Sequence, residues 1–213
     1  MSVLQQLRQL TPDRPLTDRE ARSIAERQAA RFLLLSGISE PHVPATIITD
    51  LPRVSVEVRR GLPKSGVTFW DNRAKLWRIW IRAHDVPVRQ RFSLAHELKH
   101  VIDNEIITFA YPAIDHRTSR QRSERICDYF AACLLMPRPW VKRAWAMRVQ
   151  QLDALSEVFG VSNEAMARRL SDLGLADSPY TNIYFRTDPT LQYRIASDMN
   201  TSANASRSKE LAA

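Results

Sequence analysis

The segment His96-Glu97-Leu98-Lys99-His100 constrains this chain more than any other part of its sequence. It fits the pattern H-E-x-x-H, in which two histidines four residues apart lie on one face of an α-helix and can bind one metal ion. Glu97 is one position further round the helix, so its carboxylate can reach a metal-bound water without occupying a ligand position. The pattern therefore predicts a helix here, a zinc site on His96 and His100, and Glu97 as a general base.

The residues before this motif predict a small sheet. Pro87 suits the first position of the motif helix, because a proline there removes no helical hydrogen bond. Ahead of it, apolar and polar residues alternate in three short segments, VSVEV, GVTFW and LWRIWIR. We interpret these as a three-stranded antiparallel sheet in which Trp77, Ile79 and Ile81 face the core.

A catalytic zinc ion needs a third protein ligand and an open fourth position. The next predicted helix offers Glu124 and, four residues later on the same face, Asp128. We predict Glu124 as the third ligand and Asp128 as the acceptor for the second N–H of a ligating histidine, whose tautomer it would fix. Cys127 is a competing ligand, and a thiolate there would indicate a structural site.

At a hydrolytic zinc site, a group that stabilises the negative charge developing on a substrate oxygen is also expected. The loop between the two metal-binding helices contains Tyr111 and His116, and either side chain is a candidate.

The helical segments are predicted at residues 17–35, 47–51, 86–103, 119–135, 149–159 and 163–173. The first begins with Thr17-Asp-Arg-Glu20, which has the form of a capping box. The last two resemble a helix-turn-helix, with Arg168 and Arg169 on its second helix. Packing of these two helices to complete the domain is the interpretation that we favour.

The formal net charge is +8, but arginines recur along the whole chain instead of forming one basic block. Net charge of this kind promotes non-specific association, so DNA binding is considered but not favoured. No stretch approaches the roughly 20 apolar residues of a membrane span, and the N-terminus lacks the apolar centre of a secretory signal. We expect a cytoplasmic protein with no membrane partner.

Two segments in combination, RQRFSLAHELKH and SERICDYFAACLLMP, resemble the signature of the ImmA/IrrE family of metallo-endopeptidases. The similarity extends over roughly residues 17–175. Carried over residue by residue, it implies Zn²⁺ bound by His96, His100 and Glu124, with Glu97 as the catalytic glutamate. This chain departs from the usual pattern at Lys99, where the family has glycine, and at Cys127, where it has alanine. We expect Lys99 to lie near the metal and affect the approach of substrate.

The resemblance implies an α+β fold with a zincin-like core, in which the antiparallel sheet packs against an N-terminal helix, the motif helix and the glutamate helix. We expect a metallopeptidase domain at residues 1–147, a helix-turn-helix-like segment at 148–176 and a largely irregular or disordered extension at 177–213.

The implied activity is site-specific cleavage of an intracellular protein by a zinc endopeptidase, which would relieve repression. A helix-turn-helix repressor of the xenobiotic-response-element type is the expected substrate and partner. The alternative is a DNA-binding regulator, or a partner in a toxin–antitoxin module, with a structural metal site.

Overall fold

The computed structural model describes residues 1–114 and 116–176, which form nine helices and one three-stranded sheet. The helices are α1 Val3–Arg8, α2 Asp18–Leu35, α3 Thr46–Thr49, α4 Pro87–Asp103, α5 Ile107–Ala110, α6 Ser119–Leu135, α7 Arg138–Ala146, α8 Leu152–Phe159 and α9 Asn163–Asp172. The strands are β1 Val54–Arg59, β2 Gly66–Asp71 and β3 Leu76–Arg82. The α+β class is confirmed. Among the described residues, we find no helix with the length and apolar character needed to cross a membrane.

The three strands lie in the order β1-β3-β2, with β1 parallel and β2 antiparallel to β3. The prediction of a wholly antiparallel sheet was therefore wrong. Trp77, Ile79 and Ile81 are buried as predicted, so the most apolar strand takes the central position. Residues 60–65, which join β1 to β2, are long enough to pass over one strand. The alternation of apolar and polar residues predicts the face of the sheet on which each side chain lies. It does not predict which strands are neighbours or whether they run parallel.

Helix α4 packs against β2 and β3, and an arginine binds its C-terminal end. It begins at Pro87, in the first helical position. At its other end, the carbonyls of Val101 and Ile102 accept hydrogen bonds from the Arg8 guanidinium at 2.8 and 3.0 Å. The last carbonyls of a helix have no hydrogen-bond donor within the helix, and they carry partial negative charge. An arginine at this end both donates hydrogen bonds to them and offsets that charge.

Lys99 is fully buried on the side of α4 that meets α2. Its Nζ donates to Asp103 Oδ1 and to Gln28 Oε1, each at 2.7 Å. The Tyr111 hydroxyl donates to Asp103 Oδ2 at 2.6 Å, which completes a buried polar network. The expectation that Lys99 affects substrate approach was wrong, because its ammonium group ends inside this network.

The chain divides into two compact units. The first comprises Met1–Gly37 and Pro44–Leu134 and contains the sheet, α4 and nearly all of α6. Among the described residues, the second comprises Ile38–Val43 and residues 135–176. The predicted domain boundary after residue 147 stays a prediction. The predicted extension at 177–213 lies outside the described residues.

The helix pair in the second unit has the predicted turn. Gly160 adopts φ 58°, a left-handed conformation that glycine accommodates readily, and Ser162 caps α9. Arg169 is fully buried, and its Nε donates to the carbonyl of Met136 at 3.0 Å. Of the two arginines considered for DNA contact, only Arg168 is therefore exposed.

Candidate metal centre

The two histidines of the motif converge on one point at the surface of α4. The Nε2 atoms of His96 and His100 lie 3.1 Å apart. Both side chains are mostly buried, with 15% and 21% of their surface exposed. One helical turn therefore brings two imidazole nitrogens together at an accessible edge of the protein, as the spacing predicts.

Glu124 of α6 supplies a third donor atom to this pair. Its Oε2 lies 3.2 Å from His96 Nε2 and 3.7 Å from His100 Nε2. Ligand atoms about 2.0–2.1 Å from a tetrahedral zinc ion lie about 3.3 Å from one another, which is close to all three separations. Hydrogen bonds to His100 and His96 hold the pKa of Glu124 below its usual range, so it is ionised as a metal ligand must be.

Asp128 contacts the opposite side of the His96 ring. Its Oδ1 lies 2.8 Å from His96 Nδ1, so Nδ1 keeps its proton and Nε2, which points toward His100 and Glu124, is the nitrogen that could bind a metal ion after losing its own. Burial lowers the pKa of His96, but hydrogen bonds to Asp128 and Glu124 outweigh it and raise that pKa to about 9. A carboxylate behind a ligating imidazole is the usual way in which proteins orient such a ligand.

Cys127 also lies at the site, and His96, His100 and Cys127 present donor atoms within 4.8 Å of one another. Its Sγ lies 3.6 Å from Nδ1 of His100, whereas Glu124 approaches Nε2 of the same ring. Burial raises the pKa of the Cys127 thiol well above its ordinary value in the metal-free protein. Cys127 and Glu124 therefore approach different nitrogens of the His100 ring, and Glu124 approaches the nitrogen that faces His96.

Arg122 fixes the part of α6 that carries Glu124. It is almost fully buried, and its guanidinium bonds Asp18 Oδ1 at 2.8 and 3.0 Å. It also donates to the carbonyls of Leu16 at 2.9 Å and Pro112 at 2.6 Å. Two separate segments, residues 16–18 and Pro112, are thereby joined to α6 two residues before Glu124.

Glu97, the predicted base, points toward β2 and is 7% exposed. Its Oε2 accepts a hydrogen bond from the Thr68 hydroxyl at 2.6 Å, and its other oxygen lies over Gly66. Neither β2 residue was predicted to belong to the site. The available signal was the alternation of GVTFW, which places both residues on the face of β2 that meets α4.

The two candidate oxyanion stabilisers have different environments. Tyr111 is almost fully buried and donates to Asp103, and burial together with the charge of Asp103 raises its pKa. His116 is exposed at φ 63° in the loop before α6. Within the described part of the chain, neither side chain hydrogen-bonds to the two histidines or Glu124.

Curated relatives of this chain include two proteins named radiation response metalloprotease IrrE. The one from Deinococcus deserti is 29% identical over 122 residues, which are 55% of this chain and 39% of the relative. The one from Deinococcus radiodurans is 39% identical over 64 residues, 29% of this chain and 20% of the relative. The chain thus spans about two fifths of their length or less.

Two further comparisons concern the fold and the family. A structure named Mycobacterium tuberculosis transcriptional regulator has a similar fold, with a TM-score of 0.54 and 22% identity over 80% of this chain and 52% of that one. The profile of the Peptidase_M78 family, described as the IrrE N-terminal-like domain, matches residues 56–171. Since that match spans more than half of the sequence, and agrees with the resemblance found in its motifs, this chain belongs to the Peptidase_M78 family of IrrE N-terminal-like domains.

Proposed function

We propose that this protein is a zinc-dependent endopeptidase of the cytoplasm with a zincin-like catalytic core. The observation that carries the proposal is the triangle of His96 Nε2, His100 Nε2 and Glu124 Oε2, with edges of 3.1, 3.2 and 3.7 Å. Three protein ligands leave one tetrahedral position for water or substrate, which distinguishes a catalytic zinc site from a structural one. Family membership supports the same conclusion.

The chemistry divides between the metal and the chain. A bound zinc ion would polarise the scissile carbonyl and lower the pKa of the attacking water. Glu97 accepts the proton of that water and passes it to the leaving amine. Asp128 holds His96 in the tautomer that presents Nε2 to the ion. For the oxyanion we retain His116, which is exposed, over Tyr111, whose hydroxyl is bonded to Asp103.

The substrate is an extended segment of another protein. Strand β2 is an edge strand, because the order β1-β3-β2 leaves one of its sides without a partner strand within the described sheet. It is also the strand that touches Glu97, so a peptide paired along that edge would lie beside the base. We propose a helix-turn-helix repressor as the natural substrate, as the motif resemblance implies.

Single substitutions at the site test this proposal. We expect Glu97→Gln to bind zinc like the wild type and to lose cleavage of the repressor encoded nearest its gene. Glu164→Gln, which changes an exposed glutamate of α9, is the matched control and should cleave normally. Undiminished proteolysis by Glu97→Gln would refute the mechanism.

Zinc content distinguishes the two candidate third ligands. Glu124→Ala should lose most of the bound zinc, whereas Cys127→Ala should retain it, because the thiol lies behind the His100 ring. The opposite result would show that Cys127 is the ligand and would favour a structural metal site.

A further inference from the structure

We propose that Gly66 and Thr68 form a cradle on β2 that positions the carboxylate of Glu97, with Thr68 as a positioning residue for the reaction. The inference rests on the proposed function, since it takes Glu97 as the base. Neither residue belongs to the H-E-x-x-H helix, and both lie on the edge strand. The same strand would thereby hold the base and receive the substrate.

Thr68 fixes one oxygen of the carboxylate. Its hydroxyl donates to Glu97 Oε2 at 2.6 Å and also lies 3.4 Å from the Glu97 carbonyl oxygen. Hydrogen bonds to a charged acceptor are shorter and about twice as strong as those between neutral groups. One side chain of β2 therefore contacts both the backbone and the end of the Glu97 side chain.

Gly66 makes room for the other oxygen. A Cβ atom added to Gly66 would lie 2.7 Å from both Cγ and Oε1 of Glu97, well inside van der Waals contact. Because Cγ lies near the start of the side chain, rotation about its outer bonds cannot relieve the overlap. Gly66 is thus required by the close approach of Glu97.

The cradle is itself held rigidly by the sheet. Gly66 pairs with Ile81 and Thr68 with Ile79, and both isoleucines are buried. The position of the two β2 residues is therefore set by the packing of β3 in the core. A carboxylate held in this way needs no rearrangement before it accepts a proton, which is the advantage of a preorganised site.

The first experiment separates positioning from binding. With zinc loaded, Thr68→Val should lower kcat about 10- to 100-fold, in line with the loss of one hydrogen bond to a charged group. KM and zinc affinity should stay within about twofold of the wild type, because the hydroxyl contacts Glu97 and none of the proposed zinc ligands, and the backbone edge of β2 that would bind the peptide is unchanged. Thr68→Ser, which keeps the hydroxyl, should restore most of kcat. Unchanged kcat in folded Thr68→Val would overturn the positioning role.

The second experiment does not depend on proteolysis. Gly66→Ala should lower the urea midpoint of the wild-type protein, because the new methyl group collides with Glu97. The Glu97→Ala variant lacks Cγ and Oε1, the atoms that would collide. In that variant, Gly66→Ala should therefore lower the urea midpoint little or not at all. An equal decrease of the urea midpoint in the wild type and in Glu97→Ala would refute the proposed contact between Gly66 and Glu97.

The two experiments also separate this inference from the proposed function. The wild-type protein could fail to cleave while Glu97→Ala restores the stability of Gly66→Ala. That result would refute the peptidase activity and leave the contact between Gly66 and Glu97 established. Normal cleavage by the wild type without rescue would refute the cradle alone.

Discussion

Replacement of Lys99 by methionine tests whether the buried polar network stabilises the first unit. Methionine keeps the length and apolar stem of lysine but removes the ammonium group, which contacts Asp103 and Gln28 at 2.7 Å each. Asp103 would keep only the Tyr111 hydroxyl among these donors. Two hydrogen bonds from the charged ammonium group, at about 1.5–3 kcal/mol each, predict that the free energy of unfolding falls by about 3–6 kcal/mol. This agrees with the roughly 3–5 kcal/mol typical of breaking a buried ion pair from one side.

The loss should be measured by urea unfolding of the zinc-loaded protein, followed by far-ultraviolet circular dichroism. For a chain of this size, a loss of about 3–6 kcal/mol corresponds to a decrease of about 6–24 °C in Tm. Lys99→Met combined with Asp103→Leu removes both charges together and should recover much of the stability, since no unpaired charge is left buried. Arg168→Met, at an exposed position, is the control for the loss of a cation. A change below about 1 kcal/mol for Lys99→Met would refute the reasoning.

Three further predictions concern the metal centre and its support. Asp128→Asn should weaken zinc binding about 10- to 100-fold in competition with a chromophoric chelator, and wild-type affinity in this variant would exclude a role in orienting His96. Because the pKa of metal-free His96 is raised to about 9, zinc must displace a proton at neutral pH, and affinity should fall about tenfold per pH unit below that value. Calorimetry in buffers of different ionisation enthalpy measures the number of protons released when zinc binds. Release of no proton at neutral pH would contradict the raised pKa of His96. Arg122→Met should lower the free energy of unfolding in urea by about 1–3 kcal/mol, since the carbonyls of Leu16 and Pro112 lose their donor, whereas the half-exposed Asp18 keeps Arg117.

The elements with strong local signals were predicted closely from the sequence. Helix α4 begins at Pro87, and α2 follows the capping box of Thr17 and Glu20. The weaker elements were missed. Helix α1 has only six residues, although Ser2 and Gln5 form a capping box, and α7 has nine. Length alone does not explain the omission of α7, since the eight-residue α8 was predicted. Helix α7 follows Pro137 and carries Pro139 in its first turn, and prolines there indicate the end of the preceding helix as readily as the start of a new one.

The parts of the site that depend on tertiary contacts were not predictable in the same way. Spacing alone brought His96, His100 and Glu97 together, because one helix contains all three. The contact of Thr68 with Glu97 depends on which strand lies at the edge of the sheet, and the alternation of polar and apolar residues is identical for every strand order. The burial of Lys99 likewise required the position of Gln28, 71 residues earlier in the chain.

The three faces of α4 explain why one helix can carry both the chemistry and much of the stability of the first unit. His96 faces the open site, Glu97 meets β2, and Lys99 is buried against α2. Successive residues on a helix differ by about 100° in direction, so neighbours in the motif must serve different partners. A cation at position 99 therefore lies on a different face from the metal ligands. The departure from the family's glycine at this position accordingly changes how the helix is anchored, and we expect Lys99→Gly to alter stability much more than zinc affinity.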